Sequence, residues 1–258
     1  MGPLVTKVKE IQVETIVETL CTNMLSDKEQ LKDISSIGLK TVISQLPTSH
    51  TQMSSSIVRK ITSRLLNTIQ KDDLTVQLET LDILADILNH FGSSLASFHI
   101  QIFSCLITQL NSQRLAVRKR AILAISYLVA SCQMTLFTEL LEVLLNELKK
   151  KQTNSISKTY IQCLASIRWE NIEFKIKVNY FSIIKKKSIK SRQAGHRVGE
   201  NLQNIIPLID FYCQCKDEEL VEYSLQAFES FIRRCPKEIS NYIKQVLILC
   251  QKILNLIV

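Results

Sequence analysis

The chain has 258 residues, 46% of them apolar, with five Gly and four Pro, too few for a turn-rich β protein of this size. It carries a formal charge of +8; residues 168–190 alone account for +5 of that, so a general nucleic-acid surface is excluded. No uninterrupted apolar run reaches the ~20 residues of a bilayer span, and the first residues lack the apolar core of a signal peptide.

Apolar spacing and breakers predict helix pairs in chain order. The first helix runs from about Glu10 to Leu25 with Ile16, Leu20 and Met24 on one face. Ser26-Asp27 turns the chain into a second, ending near Leu46 before Pro47. A second pair covers about Met53 to Ile69 and Leu74 to Phe91, with an Asp72-Asp73 cap and Gly92 as the exit. The third runs from about Leu95 to Leu110 and Arg114 to Ser131, the fourth from about Leu136 to Lys149 and Ser155 to Ile167. A fifth covers about Gly195 to Tyr212 and Asp217 to Arg234, ended by Pro236. A last helix starts near Ile239 and has no following partner, which predicts poor solubility in isolation.

The second helices share one figure: an apolar or β-branched residue, a small one four positions on, and a large apolar one four further. The sets are Leu31/Ser35/Leu39, Val76/Thr80/Leu84, Val117/Ala121/Ile125, Thr159/Cys163/Ile167 and Leu220/Ser224/Phe228. Residues i, i+4 and i+8 line one helix face, so each set reads as a buried stripe with a shallow centre that lets a neighbouring helix approach. The small positions recur at intervals of 45, 41, 42 and 61 residues. That period belongs to HEAT and armadillo solenoids. The fold class is therefore all-α: a HEAT-repeat α-solenoid of antiparallel helix pairs.

The interval of 61 marks an insertion, since removing the 23 residues 168–190 leaves 38. The expected organisation is repeats over 1–167, a basic inserted loop over 168–190, and repeats over 191–258. The insert could pry the fourth and fifth pairs apart.

Little here suggests catalysis, and no enzyme activity and no cofactor are expected. The eight cysteines sit mostly in apolar helical runs, where a thiol behaves as a small hydrophobe and a reduced, intracellular setting is expected. Cys213-Gln214-Cys215 lacks the gap of a zinc or redox motif. His50, His90 and His99 are scattered over separate repeats, as surface or inter-helix residues, and no metal site is expected. Gly195 to Gly199 follows no strand and reads as a helix start rather than a phosphate loop. The densest basic cluster inside the repeats is Arg114 to Arg120. Arg118, just after the first buried position, is expected to bond neighbouring turns and so form a ladder between repeats. Arg114 and Arg120 are freer to meet a partner protein.

Several runs carry a family resemblance. Leu20 to Leu31, Arg114 to Arg120, Tyr160 to Cys163, Arg192 to Arg197, Gln226 to Phe231 and Arg233 to Glu238 resemble the N-terminal region of the cullin-associated, neddylation-dissociated proteins. Ile167 would there be followed directly by Ser191-Arg192-Gln193. The resemblance implies a HEAT scaffold around a cullin–RING ubiquitin ligase core, contacting the cullin C-terminal region and the RING subunit and masking the neddylation lysine. Adaptor exchange belongs to C-terminal repeats of that family, so this chain, fragment-like or a pseudogene-like copy of the N-terminal arm, is expected to be incomplete for exchange. The TATA-binding protein is a further implied partner, and a cytoplasmic and nuclear location is expected. A karyopherin-like or transcription-associated scaffold shares the architecture and stands as the alternative.

Overall fold

The computed structural model describes residues 10–47, 51–150, 153–167, 201–248 and 251. The proposed insert, 168–190, the start of the fifth pair at Gly195 and the end of the last helix lie outside these residues. Among the described residues there is no strand. The chain divides into two compact units near Leu136 and Phe137.

The first unit holds α1 (Glu10–Asn23), α2 (Glu29–Gln45), α3 (Gln52–Thr68), α4 (Leu74–Phe91), a 3-10 segment (Gly92–Phe98), α5 (His99–Leu110) and α6 (Leu115–Ser131). Successive helices pair, and the pairs stack: α2 lies against α4, and α4 against α6. Helix α4 is the centre of the unit. Val76, Thr80, Leu81, Ile83, Leu84, Ala85, Ile87, Leu88 and Phe91 are all buried on it. The helical stretch Leu74–Leu110 is long and apolar enough by composition to cross a membrane. Here α4 buries one side against its neighbours, the stretch carries Glu79, Asp82 and Asp86, and its backbone leaves helical geometry at Leu95.

The second unit follows within α7 (Met134–Lys149) and continues through α8 (Asn154–Ser166), α9 (Leu202–Cys213), α10 (Glu218–Arg234) and the short α11 (Pro236–Ile239). Helix α10 packs on both α8 and α9. Pro236 starts α11, where its missing N–H costs nothing, so the chain resumes a helical course directly after α10.

Sequence patterning accounts for the stripes. Ser35, Thr80, Ala121, Cys163 and Ser224 are each at most 1% exposed, and Leu39, Leu84, Ile125, Ile167 and Phe228 are buried beside them. Leu31, leading the first stripe, is only partly covered.

One sequence expectation needs correction. Helix α1 buries Val13, Val17 and Cys21, and Met24 is buried just beyond its end as expected, whereas Ile16 is exposed and Leu20 only partly covered. Apolar residues occupy two faces of this helix, and the face chosen is the one that meets α2 and α3. Leu20 lies over Gly38 of α2, where a Cβ would come within 2.9 Å of its Cδ2, so glycine is what permits that approach. Gly92 is the C-cap that ends α4, as the sequence predicts, and its backbone there is right-handed at φ −49° and ψ −41°. A Cβ there would stand 2.8 Å from Ser131 Cβ, so its role is close packing against the end of α6.

Candidate protein-binding surface

The row formed by α2, α4 and α6 is tied together by ion pairs that alternate in sign across it. Helix α4 supplies the acids and its two neighbours the bases. Lys32 Nζ lies 2.5 Å from Asp73 Oδ2, and Lys40 Nζ donates to Glu79 Oε2 at 2.7 Å. The Ser36 hydroxyl donates to the same Glu79 oxygen. From the other side Arg120 Nε donates to both oxygens of Asp82, at 2.9 and 3.0 Å. Arg114 reaches Asp72 Oδ1 at 3.6 Å. A similar row links α1 to α3, through Glu14 with Lys60 and Ser56 and Glu18 with Arg64.

These contacts place the three candidate arginines differently. Arg118 is buried, and its Nη1 donates to the carbonyls of Ser112 and Gln113 at 2.8 and 3.1 Å, bracing the turn before its own helix. Arg120, expected to be freer to meet a partner, is paired with Asp82 of the neighbouring repeat. Arg114 keeps 43% of its side chain exposed, and its partner Asp72 is 95% exposed. Pairs that exposed contribute little to stability. The residues missed by sequence reading are the acids of α4. They sit about one repeat from their bases, and their signal is the repeat register itself.

Electrostatics follow from this pairing. The hydrogen bond from Lys32, helped by the Val76 N–H, holds the Asp73 carboxyl below the usual carboxylate range. Burial pushes Glu79 up, but hydrogen bonds from Lys40 and Ser36 and the charges of Lys40 and Arg120 outweigh it, leaving the carboxyl low. A lowered folded pKa means stability that is present above the unfolded value and lost as pH falls through the folded one. The melting temperature should therefore hold steady near neutrality and fall steeply below about pH 4. A Lys40→Met variant should show a shallower acid limb in thermal melts followed by circular dichroism.

His99, expected at a surface or between helices, is buried at 4% exposure. Its Nε2 donates to Gly92 O at 2.8 Å, locking the 3-10 turn, and burial lowers its pKa against the opposing pull of that bond. The described cysteines are all free thiols. Burial pushes Cys21 and Cys105 up to about 11 and Cys163 to about 12, well away from thiolate chemistry. Among the described residues no group of His, Cys, Asp and Glu is arranged to hold a metal. A cleft of about 590 Å³ at the ends of α1 and α3, bordered by Asn23, Arg64, Asn67 and Lys71, has no carboxylate or histidine in its lining.

In the second unit the same scheme joins α8 to α10. Lys158 Nζ lies 3.1 Å from Asp217 Oδ1 and also contacts Glu219, and Asn154 Nδ2 donates to Asp217 Oδ2 at 2.7 Å. The Ser230 hydroxyl donates to Ala165 O at 2.9 Å. The expected prying apart of these pairs is not seen: their second helices lie side by side.

No protein-family model matches the chain. It is 45% identical over 97% of its length to the cullin-associated NEDD8-dissociated protein 2 of Rattus norvegicus, and 44% identical over 97% to the cullin-associated NEDD8-dissociated protein 1 of Drosophila melanogaster. The Arabidopsis thaliana cullin-associated NEDD8-dissociated protein 1 is 31% identical over 99% of the chain.

The chain belongs to the cullin-associated NEDD8-dissociated family.

It spans 18–19% of the length of these relatives, within their N-terminal portion. Among solved structures, Kap121p superposes with a TM-score of 0.59 at 15% identity, over 95% of this chain and 21% of that one. Kap95p gives 0.56 at 13% identity, over 91% and 27%. At such identities the likeness concerns the fold alone, an α-solenoid of the HEAT and armadillo type.

Proposed function

We propose that this family segment is a non-enzymatic protein-binding scaffold that engages a cullin–RING ligase core, through the cullin C-terminal region and its RING subunit. The observation that carries this reading is the 44–45% identity across 97% of the chain to proteins named for cullin association. Helix rows held in register by paired charges offer a preformed surface for a protein partner. Adaptor exchange is assigned to no residue of this chain. Cytoplasmic and nuclear location follows from such a partner. The TATA-binding protein and a karyopherin-type cargo have no specific observation in their favour.

Co-purification of the tagged chain with unmodified and with NEDD8-modified cullin–RING cores tests the reading. Retention of the unmodified core, and weaker or no retention of the modified one, is the expected result. Failure to retain either core sinks it.

A further inference from the structure

We propose that the cleft between the ends of α1 and α3 takes an extended segment of the partner protein, held through its main chain by the side-chain amides of Asn23 and Asn67. The inference rests on the protein-binding reading above and adds the place and the chemistry of one contact.

Most polar groups in the wall of this cleft are already committed to the chain itself. The Thr22 hydroxyl donates to Glu18 O and the Thr68 hydroxyl to Arg64 O, both at 2.9 Å. The Ser26 hydroxyl accepts from the Lys28 N–H at 3.2 Å. The N–H groups of Leu25, Ser26 and Lys71 close the turns on Thr22 O, Asn23 O and Thr68 O. Arg64 is paired with Glu18. Among the described residues, the carboxamides of Asn23 and Asn67 and the Lys71 ammonium have no such bond. These three groups are what the lining offers to a ligand.

Their placement makes the two amides a pair. Val13, Val17 and Cys21 of α1 correspond to Ile57, Ile61 and Leu65 of α3, each 44 residues on and all buried, and the same interval separates Asn23 from Asn67. The two helices are neighbours. Packed helices stand about 8–10 Å apart, a span that an extended chain covers in about three residues. A carboxamide carries an acceptor and two donors, the complement of a peptide unit's N–H and C=O. Affinity of this kind comes from main-chain hydrogen bonds, and side-chain pockets add the selectivity. Here Cys21 and Leu25 supply an apolar wall for one aliphatic side chain, and Leu25 is 46% exposed. The volume of about 590 Å³ is in the range of ligand clefts. With Arg64 matched by Glu18, Lys71 brings one unpaired charge to the lining. That is too little for a phosphate backbone, which several cations must neutralise.

The full chain carrying Asn23→Ala and Asn67→Ala should bind the unmodified cullin–RING core at least ~5-fold more weakly by biolayer interferometry. Its melt should stay within about 2 °C of wild type, because neither side chain holds the fold together. Leu25→Lys, which sets a long charged side chain in the mouth of the cleft, should weaken binding comparably. Lys71→Gln keeps a donor without the charge and should retain most of the affinity. Amide hydrogen exchange on the core should show one short stretch protected by the wild-type chain and released by the double alanine variant. Wild-type affinity in both the double alanine variant and Leu25→Lys overturns the cleft as a binding place and leaves the scaffold reading intact. A loss on Lys71→Gln as large as that of the double variant overturns main-chain recognition in favour of charge. Absence of binding by the wild-type chain removes both readings together.

Discussion

Replacing Ala121 by Leu should destabilise the first unit by about 2–3 kcal/mol, the upper range for overpacking a well-filled core. Ala121 is fully buried at the centre of its stripe, where α6 meets α4 with Val117 and Ile125 on either side. A leucine there must displace α4 or adopt a poor rotamer, and α4 cannot yield readily because it also packs on α2 and α3. Guanidinium denaturation followed by circular dichroism should show a lower midpoint for the early transition. Ala121→Ser, similar in volume, should cost far less. Equal stability of Ala121→Leu and wild type would falsify the shallow-centre account of the repeat.

In the second unit, Tyr212→Phe should cost about 2 kcal/mol, the penalty for leaving buried polar groups unpaired. The Tyr212 hydroxyl donates to Leu148 O at 2.5 Å and accepts from the Ser157 hydroxyl at 3.5 Å. It thereby joins the end of α7, the start of α8 and the end of α9, and its ring is 4% exposed. Removing one oxygen leaves the Leu148 carbonyl without that donor while the packing is unchanged. Amide hydrogen exchange on the full chain should show faster opening in α8 and α9, with α4 and α6 unaffected. Uniform exchange across both units would contradict the assignment.

Much of this architecture is legible from residue spacing, and the reason is physical. A buried small residue between two larger ones, repeated at about forty residues, arises where helices stack closely at a regular interval and in few other folds. All five small positions are enclosed in the structure. Helix limits follow from caps such as Asp73 and Asp217, whose side chains accept the N–H groups three residues on. The face of α1 is not legible, because Ile16–Leu20 and Val13–Val17–Cys21 are equally periodic and only the neighbouring helices discriminate. The burial of His99 is hidden for a related reason: its partner is the Gly92 carbonyl, which becomes available only because the chain tightens into a 3-10 turn. Arg120 looks free in the sequence since its acid, Asp82, lies 38 residues earlier, beyond any local pattern. The candidate surface is therefore visible as a basic cluster, but how its charges are shared out depends on which helices become neighbours.

Helices α8 and α10 meet through Lys158, Asn154 and Ser230 even though residues 168–200 intervene between Ile167 and the next described turn. A stack whose seams are sealed by side chains on its own helices makes covalent spacing between rungs almost irrelevant. Each doubling of such a connection costs only about 0.6 kcal/mol in closure entropy. The seam thus turns one junction into a site where residues can be gained or lost while the registration of the helices survives.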